Sequence, residues 1–361
     1  MADLNAPKAS QRMTQLKNSG GRRRLTIREI AREAQVSTAT VSRVINTPDQ
    51  VTEKTRIAVQ EVIARHHYVS HGAAMSLASN RSSTIGLIIP TITNSIYASS
   101  TQSIQQVAQR SGYTVLLGVS EFSPAEEGRL IRRLLERRVD GLILTGSERD
   151  EDTYKLIETN GVPYIVTWKL TKGPLRPSVS FDNYQAGRLA MDHLIALGHR
   201  RIGLICGRTD LNDRARERRR SYEDALKTIG VARDDTLIYE RDFEFVEGRA
   251  AMHRMLADHD PPTAVFCAND IQAIGALSEC QDSERQVPAD ISIIGFDDLP
   301  IAQYTHPQLT TIRVPAKRMG HIAATRLIEI IAGADPAMTE ELPVELILRG
   351  STGPVSKGAP D

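Results

Sequence analysis

Beyond Ser83 the chain keeps a beat that few folds can satisfy: short, wholly apolar runs alternate with stretches of helical periodicity. Ile85-Gly86-Leu87-Ile88-Ile89, Thr114-Val115-Leu116-Leu117 and Gly141-Leu142-Ile143-Leu144 are separated by a helix from about Ser100 to Arg110 and another through Leu130, Ile131 and Leu134. The beat resumes after Phe181. A helix near Ala186 to Leu197, Ile202-Gly203-Leu204-Ile205, a helix near Ser221 to Ile229, Ala264-Val265-Phe266 and Ile291-Ser292-Ile293-Ile294 follow. Runs apolar at nearly every position, rather than at every second one, belong to strands covered on both faces. Alternation with helices makes such sheets parallel. The length suffices for two doubly wound parallel-sheet lobes. Ligands of such sheets sit beyond the carboxyl ends of the strands, so two facing lobes create a cleft.

The first eighty residues follow another pattern. Thr26-Ile27-Arg28-Glu29 has the form of a capping box, and Ile27, Ile30, Ala31 and Ala34 share one helical face. Ser37 is placed to cap a second short helix, Thr38 to Ile45, with Val41, Val44 and Ile45 inward. A third helix is expected after Thr52, its buried side supplied by Ile57, Val59, Val62 and Ile63. This is a small all-α unit containing a helix-turn-helix. The outer face of its second helix carries Thr38, Ala39, Ser42 and Arg43. Short side chains let such a helix enter a major groove, where Arg43 can donate two hydrogen bonds to a guanine edge. Ser37, Thr40 and Asn46 suit the phosphate backbone, and Thr26 is a further candidate for DNA contact.

Charge supports that division. Met1 to Ser82 holds thirteen Lys and Arg against six Asp and Glu, an excess of seven in a chain of net charge +1. A basic head joined to a mildly acidic remainder fits a DNA-binding module on a separate sensor. Residues 1–24, ending Gly20-Gly21-Arg22-Arg23-Arg24, read as a basic, disordered arm without the apolar segment of a secretory signal.

The run Val36-Ser37-Thr38-Ala39-Thr40-Val41-Ser42-Arg43-Val44-Ile45-Asn46 closely resembles the reading head of the lactose-repressor family of bacterial regulators, and the match continues through Thr55-Arg56 to Tyr68. Further family-like stretches are Ile85-Gly86-Leu87-Ile88-Ile89-Pro90, Val139 to Leu144, Leu197-Gly198-His199, Ala268-Asn269-Asp270 and Gly295-Phe296-Asp297-Asp298. The resemblance implies a sensor folded like a periplasmic sugar-binding protein, a homodimer, operator DNA as partner and a small-molecule effector. It also implies a hinge helix over 70–82 that forms on DNA. Within it Leu77 wedges into the minor groove, Ala74 lies at the close helix pairing, and His71 stands near the DNA. The crossovers between lobes fall near Ser180-Phe181, Leu309-Thr310-Thr311 and Leu342-Pro343. Lobe 1 is thus expected over about 83–180 and 312–341, lobe 2 over about 181–310 and 342–351, and a tail over 352–361.

Polar and aromatic residues just after the strands are the effector-site candidates: Tyr97, Gly146, Trp168, Arg218, Asn269 and Asp297. A carboxylate accepts from two hydroxyls and an amide both donates and accepts. Arg218 stands at the spacing of the family's ligand-binding Arg. Phe266-Cys267-Ala268-Asn269-Asp270 resembles gluconate-type members, which points to a sugar or sugar acid; a purine-type co-repressor is the alternative. Each candidate also has a structural role open to it. Asn269 and Asp297 can cap helices, Arg218 can belong to a solvated basic run, and Trp168 can fill an interlobe surface.

Cys206, Cys267 and Cys280 have no CxxC spacing, which excludes a zinc or redox pair and suits a reducing cytoplasm. No P-loop, nucleophile elbow or metal-binding His pair is present, so neither an enzyme nor a cofactor is expected. A solute-binding protein of transport type would share the large fold but has no use for the basic head. The expected function is a ligand-responsive, sequence-specific DNA-binding regulator.

Overall fold

The computed structural model describes residues 25–69, 81–171, 176–210, 212–335 and 339–355. The chain divides into two compact units between Asn80 and Arg81. In the smaller, helices α1 (Ile27–Glu33), α2 (Thr38–Asn46) and α3 (Glu53–Arg65) enclose Ile30, Ala31, Val41, Val44, Val59 and Val62. Glu29 closes the first cap by accepting from the Thr26 N–H at 2.8 Å and from the Thr26 hydroxyl at 3.0 Å. The Ser37 hydroxyl accepts from the Thr40 N–H at 3.1 Å and starts α2. Glu33, at the end of α1, bonds Arg65 (2.9 Å) and His66 (2.5 Å) at the end of α3. The expectation for Ile57 is corrected: it is 46% exposed. Standing two residues before Val59, it lies about 200° around the helix from the buried stripe.

The larger unit contains two six-stranded sheets. Strands β1 (Thr84–Ile89), β2 (Thr114–Val119), β3 (Gly141–Thr145), β4 (Tyr164–Thr167) and β5 (Ser178–Ser180) build the first; β6 (Ile202–Cys206), β7 (Ile238–Glu240), β8 (Ala264–Cys267), β9 (Ser292–Asp297) and β10 (Thr310–Arg313) build the second. The late strands β11 (Thr339–Glu341) and β12 (Glu345–Ile347) complete them. The orders are β11-β5-β4-β3-β1-β2 and β12-β10-β9-β8-β6-β7. All pairings are parallel except that of β12 with β10. Helices α4 (Ser95–Arg110), α5 (Pro124–Glu136), α6 (Glu151–Thr159) and α11 (Ala316–Ile331) pack in the first lobe, and α7 (Asn183–Ala196), α8 (Asp213–Thr228), α9 (Phe245–Leu256) and α10 (Asp270–Asp282) in the second. Near-continuous burial along β1, β3, β6, β8 and β9 is the cause of the apolar runs in the sequence.

Three boundaries differ from expectation. The second crossover comes after Arg313, because β10 pairs with β9 from Thr310↔Ile294 to Arg313↔Asp297 and so stays in lobe 2. The first part of the expected tail is packed structure: the Val355 N–H donates to the Leu197 carbonyl at 3.0 Å, and His199 Nε2 bonds the Gly353 carbonyl at 3.0 Å. Arg81 and Ser82 are not helical; Ser82 donates from its N–H (2.8 Å) and hydroxyl (3.1 Å) to Asp140. His71, Ala74 and Leu77 lie outside the described residues.

Candidate functional site

The head presents one polar face. Thr38, Ala39, Arg43 and Asn46 are exposed on the side of α2 opposite Val41 and Val44, and Ser37 is exposed at its start. Asn46 Nδ2 donates to the Ser42 hydroxyl at 3.2 Å, while Ser37 and Thr40 share a hydroxyl contact of 2.9 Å. Arg43 has no ion pair among the described residues, so its guanidinium is available to an outside acceptor. Thr26 sits exposed at the start of α1, its hydroxyl directed to Glu29.

In the sensor the six candidates come from the carboxyl ends of both sheets. Tyr97 lies in the first turn of α4 after β1, Gly146 follows β3 and Trp168 follows β4. Arg218 projects from α8 after β6, Asn269 caps α10 after β8, and Asp297 ends β9. Tyr97, Trp168, Arg218, Asn269 and Asp297 are all buried. Trp168 meets Tyr97 edge-on at 5.0 Å and Phe181 at 6.2 Å, and Phe181 meets Phe296 at 6.2 Å. Arg218 stacks over Phe296 at 4.5 Å. Asn269 donates from Nδ2 to Asp297 at 2.6 Å while its Oδ1 accepts the Ile271 N–H at 2.9 Å, so it caps the helix and orients the carboxylate together.

The electrostatics are those of a dry, charged centre. Burial pushes the Asp297 carboxyl well above its ordinary range, against the pull of Arg218. Burial likewise lowers Arg218 and raises the Tyr97 phenol, which Arg214 and Arg218 oppose. The Arg218 Nε is buried without a hydrogen-bond partner among the described residues. Asp297 (φ 119°), Asp298 (φ 52°) and Trp168 (φ 68°) hold left-handed backbone conformations unusual for such residues.

Reasoning from the sequence missed Arg214, Asp213 and the cleft mouth. Arg214 lies beside the Tyr97 hydroxyl and bonds Asp213 at 2.8 Å. Gly146 (φ 71°) makes room for it, since a Cβ there would collide with Arg214 Nη1. Asp213 accepts from the Ser147 N–H (2.7 Å) and hydroxyl (2.8 Å) of the other lobe. Burial raises the Asp213 carboxyl, but Arg214 and Ser147 prevail and hold it below its ordinary value. Beside this cluster a cavity of about 600 Å³ opens between the lobes, bounded by Thr91, Thr93 and Phe122 on one side and Asn212, Arg241 and Phe243 on the other. Phe122 and Phe243 approach to 5.6 Å across it.

Residues 26–71 match the model for bacterial regulatory proteins of the lacI family, and residues 191–352 that for a periplasmic binding protein-like domain. The HTH-type transcriptional repressor CytR of Escherichia coli (strain K12) is 34% identical over 328 residues, spanning 91% of this chain and 96% of that protein. The chain belongs to the lacI family of bacterial regulatory proteins. Its HTH-type relatives include the transcriptional repressor PurR of Photobacterium profundum, 33% identical over 90% of this chain and 98% of that protein. The lac repressor dimer bound to operator and the anti-inducer ONPF superposes with a TM-score of 0.80 at 28% identity, covering 92% of this chain and all of that one. This lacI-family member is therefore a ligand-responsive, DNA-binding regulator of transcription. The six arginines from Arg208 to Arg220 hid Arg214 in the sequence, although Arg218 was named. A usable signal was present: Arg214, Arg218 and Tyr222 recur at four-residue spacing, on the one face of α8 that is buried.

Proposed function

We propose that this regulator is a homodimeric repressor whose paired heads grip an operator with two-fold-related half-sites, and whose effector fills the interlobe cleft and releases the DNA. One observation carries the effector assignment. Arg218, buried between strand ends of both lobes, keeps an unpartnered Nε beside Asp297 and an aromatic wall. A buried guanidinium of this kind is a donor awaiting a ligand oxygen. Asp297 accepts ligand hydroxyls, Asn269 orients it, Tyr97 and Trp168 pack the ligand's apolar face, and Arg214 and Arg218 together suit a carboxylate. A sugar or sugar acid satisfies that set.

The Phe122–Phe243 pair supports a second reading, a purine-type co-repressor stacked at the cleft mouth. The two readings differ in sign. Operator-shift titration with sugars, sugar acids and purines, on wild type and Arg218→Ala, separates them. Release by a sugar acid, lost in Arg218→Ala while operator binding persists, is the expected result. Tightening by a purine alone would replace it with the second reading. The hinge expectation belongs to the same proposal: Leu77→Ala is expected to lose specific operator binding and bending while ligand affinity of the free protein is unchanged. The site of action is cytoplasmic DNA. Among the described residues no helix is long and apolar enough to cross a membrane.

A further inference from the structure

A second cavity, of about 630 Å³, lies between the lobes; it shares no lining residue with the cleft mouth and borders Asp297 of the effector cluster. Its lobe 1 wall is the start of α11 against one face of α4; its lobe 2 wall is the turn after β9 together with Arg313. Three observations there point the same way. The first turns of α11 carry Lys317, Arg318 and His321, all exposed and without an ion pair among the described residues. Helix α11 is sixteen residues long and opens without a side-chain cap or an acidic residue. Its first amides and its dipole therefore add to the positive field. Ser103, on α4, is only 4% exposed and lines the same cavity with a hydroxyl that has no hydrogen-bond partner among the described residues.

Two carboxylates also border the space, and neither cancels the field. Asp298 is already held by Arg349 at 2.6 Å and Arg313 at 2.7 Å. Asp297 accepts from Asn269, and burial drives it toward its neutral form. The remaining wall is apolar at Ile96, Leu299, Val314 and Pro315 and polar at Ser99 and Gln106, both on α4.

We propose that this cavity is a second ligand site, specific for a small phosphate monoester. The phosphate group sits at the start of α11 between Lys317 and Arg318 and takes the Ser103 hydroxyl; the ester's body fills the remainder. A tetrahedral oxyanion matches converging cationic, amide and hydroxyl donors. Because the walls come from both lobes, occupancy acts on the same closure as the cleft effector, and the coupling is reciprocal.

Calorimetric titration of the full chain with ribose 5-phosphate, inorganic phosphate and ribose tests this at physiological salt. Both phosphates are expected to bind and to compete with each other, and ribose is expected not to displace them. The double variant Lys317→Gln/Arg318→Gln should lose about tenfold or more in affinity. Ser103→Ala should lose several-fold, with an unchanged melting temperature. Arg218→Ala, in the cleft, should bind both phosphates as wild type does. Absence of phosphate binding at millimolar concentration overturns the proposal, as does undiminished binding in the double variant. Loss of binding in Arg218→Ala also overturns it, by placing the phosphate in the cleft; the cleft assignment itself would survive any of these results.

Discussion

Arg43 and Arg218 both lack an ion-pair partner among the described residues, for opposite physical reasons. Arg43 is exposed on a helix whose neighbouring side chains are short, so its ordinary partner is water until an acceptor arrives. Arg43→Ala is expected to cost about 1–3 kcal/mol on a specific operator and to relax base preference at one position. Shift assays on specific and scrambled DNA check this; an equal loss on both would assign Arg43 to phosphate. Arg218 is dry, and stacks on Phe296 in place of solvent. Asp270 carries a different consequence of burial. It accepts from the Thr311 hydroxyl (2.6 Å) and the Leu299 N–H (2.7 Å), yet burial pushes its carboxyl up to about 7 from an ordinary 3.8. Between those values the native state keeps a proton that the unfolded chain has released. Its contribution to stability is complete below the unfolded value and is lost as pH rises through the folded one. Asp270→Asn should therefore flatten the fall of unfolding free energy over that window, by at most about 1.4 kcal/mol per pH unit. Denaturant titrations at several pH values measure it.

Helices α4 and α11 show how closely elements of lobe 1 are fitted. A Cβ on Gly320 would collide with the Ser100 carbonyl oxygen, which is backbone and cannot swing aside. Gly320→Ala is expected to destabilise by about 1–3 kcal/mol through overpacking. A lowered urea midpoint with an unchanged slope would show it; an unchanged midpoint would mean the helices are free to separate. What could be read in the sequence follows from the same packing. Interior strands such as β1 and β9, buried on both sides, wrote themselves as apolar runs. The three-residue strands β11 (Thr-Glu-Glu), at the edge of its sheet, and β5 (Ser-Val-Ser), next to it, carry no such signature. They are too short to set a period, and pairing at an edge asks little of side chains. In the site, strand-end residues such as Asp297 were legible from their position after an apolar run. Arg214 was not singled out, because composition does not say which arginine of a basic helix faces inward. The Phe122–Phe243 contact joins residues far apart in the chain, and only the fold brings them together.

At the scale of the molecule, α8 is the fastener between the lobes. Besides Asp213–Ser147, it supplies Arg216 to Glu148 and Glu217 to Lys169, the latter at 3.1 Å. These pairs are partly exposed, so each is worth little alone. Glu148→Gln/Glu217→Gln is expected to weaken ligand binding several-fold by favouring the open pose, and to enlarge the radius of gyration in solution scattering. An unchanged radius together with unchanged affinity would show that closure rests on the aromatic cluster. The three crossings of the chain between lobes bear on how the protein is made. Neither lobe is a continuous stretch: the first lacks α11 and β11, and the second lacks β10 and β12, until the residues from Thr310 onward have been added. On a ribosome the head, complete by Tyr68, can fold as soon as it emerges, whereas the sensor waits on the order of tens of seconds for its closing segments. Through that interval the faces of β3 and β4 that α11 covers stand open. The nascent regulator thus holds a formed DNA-reading head well before the sensor that governs it exists.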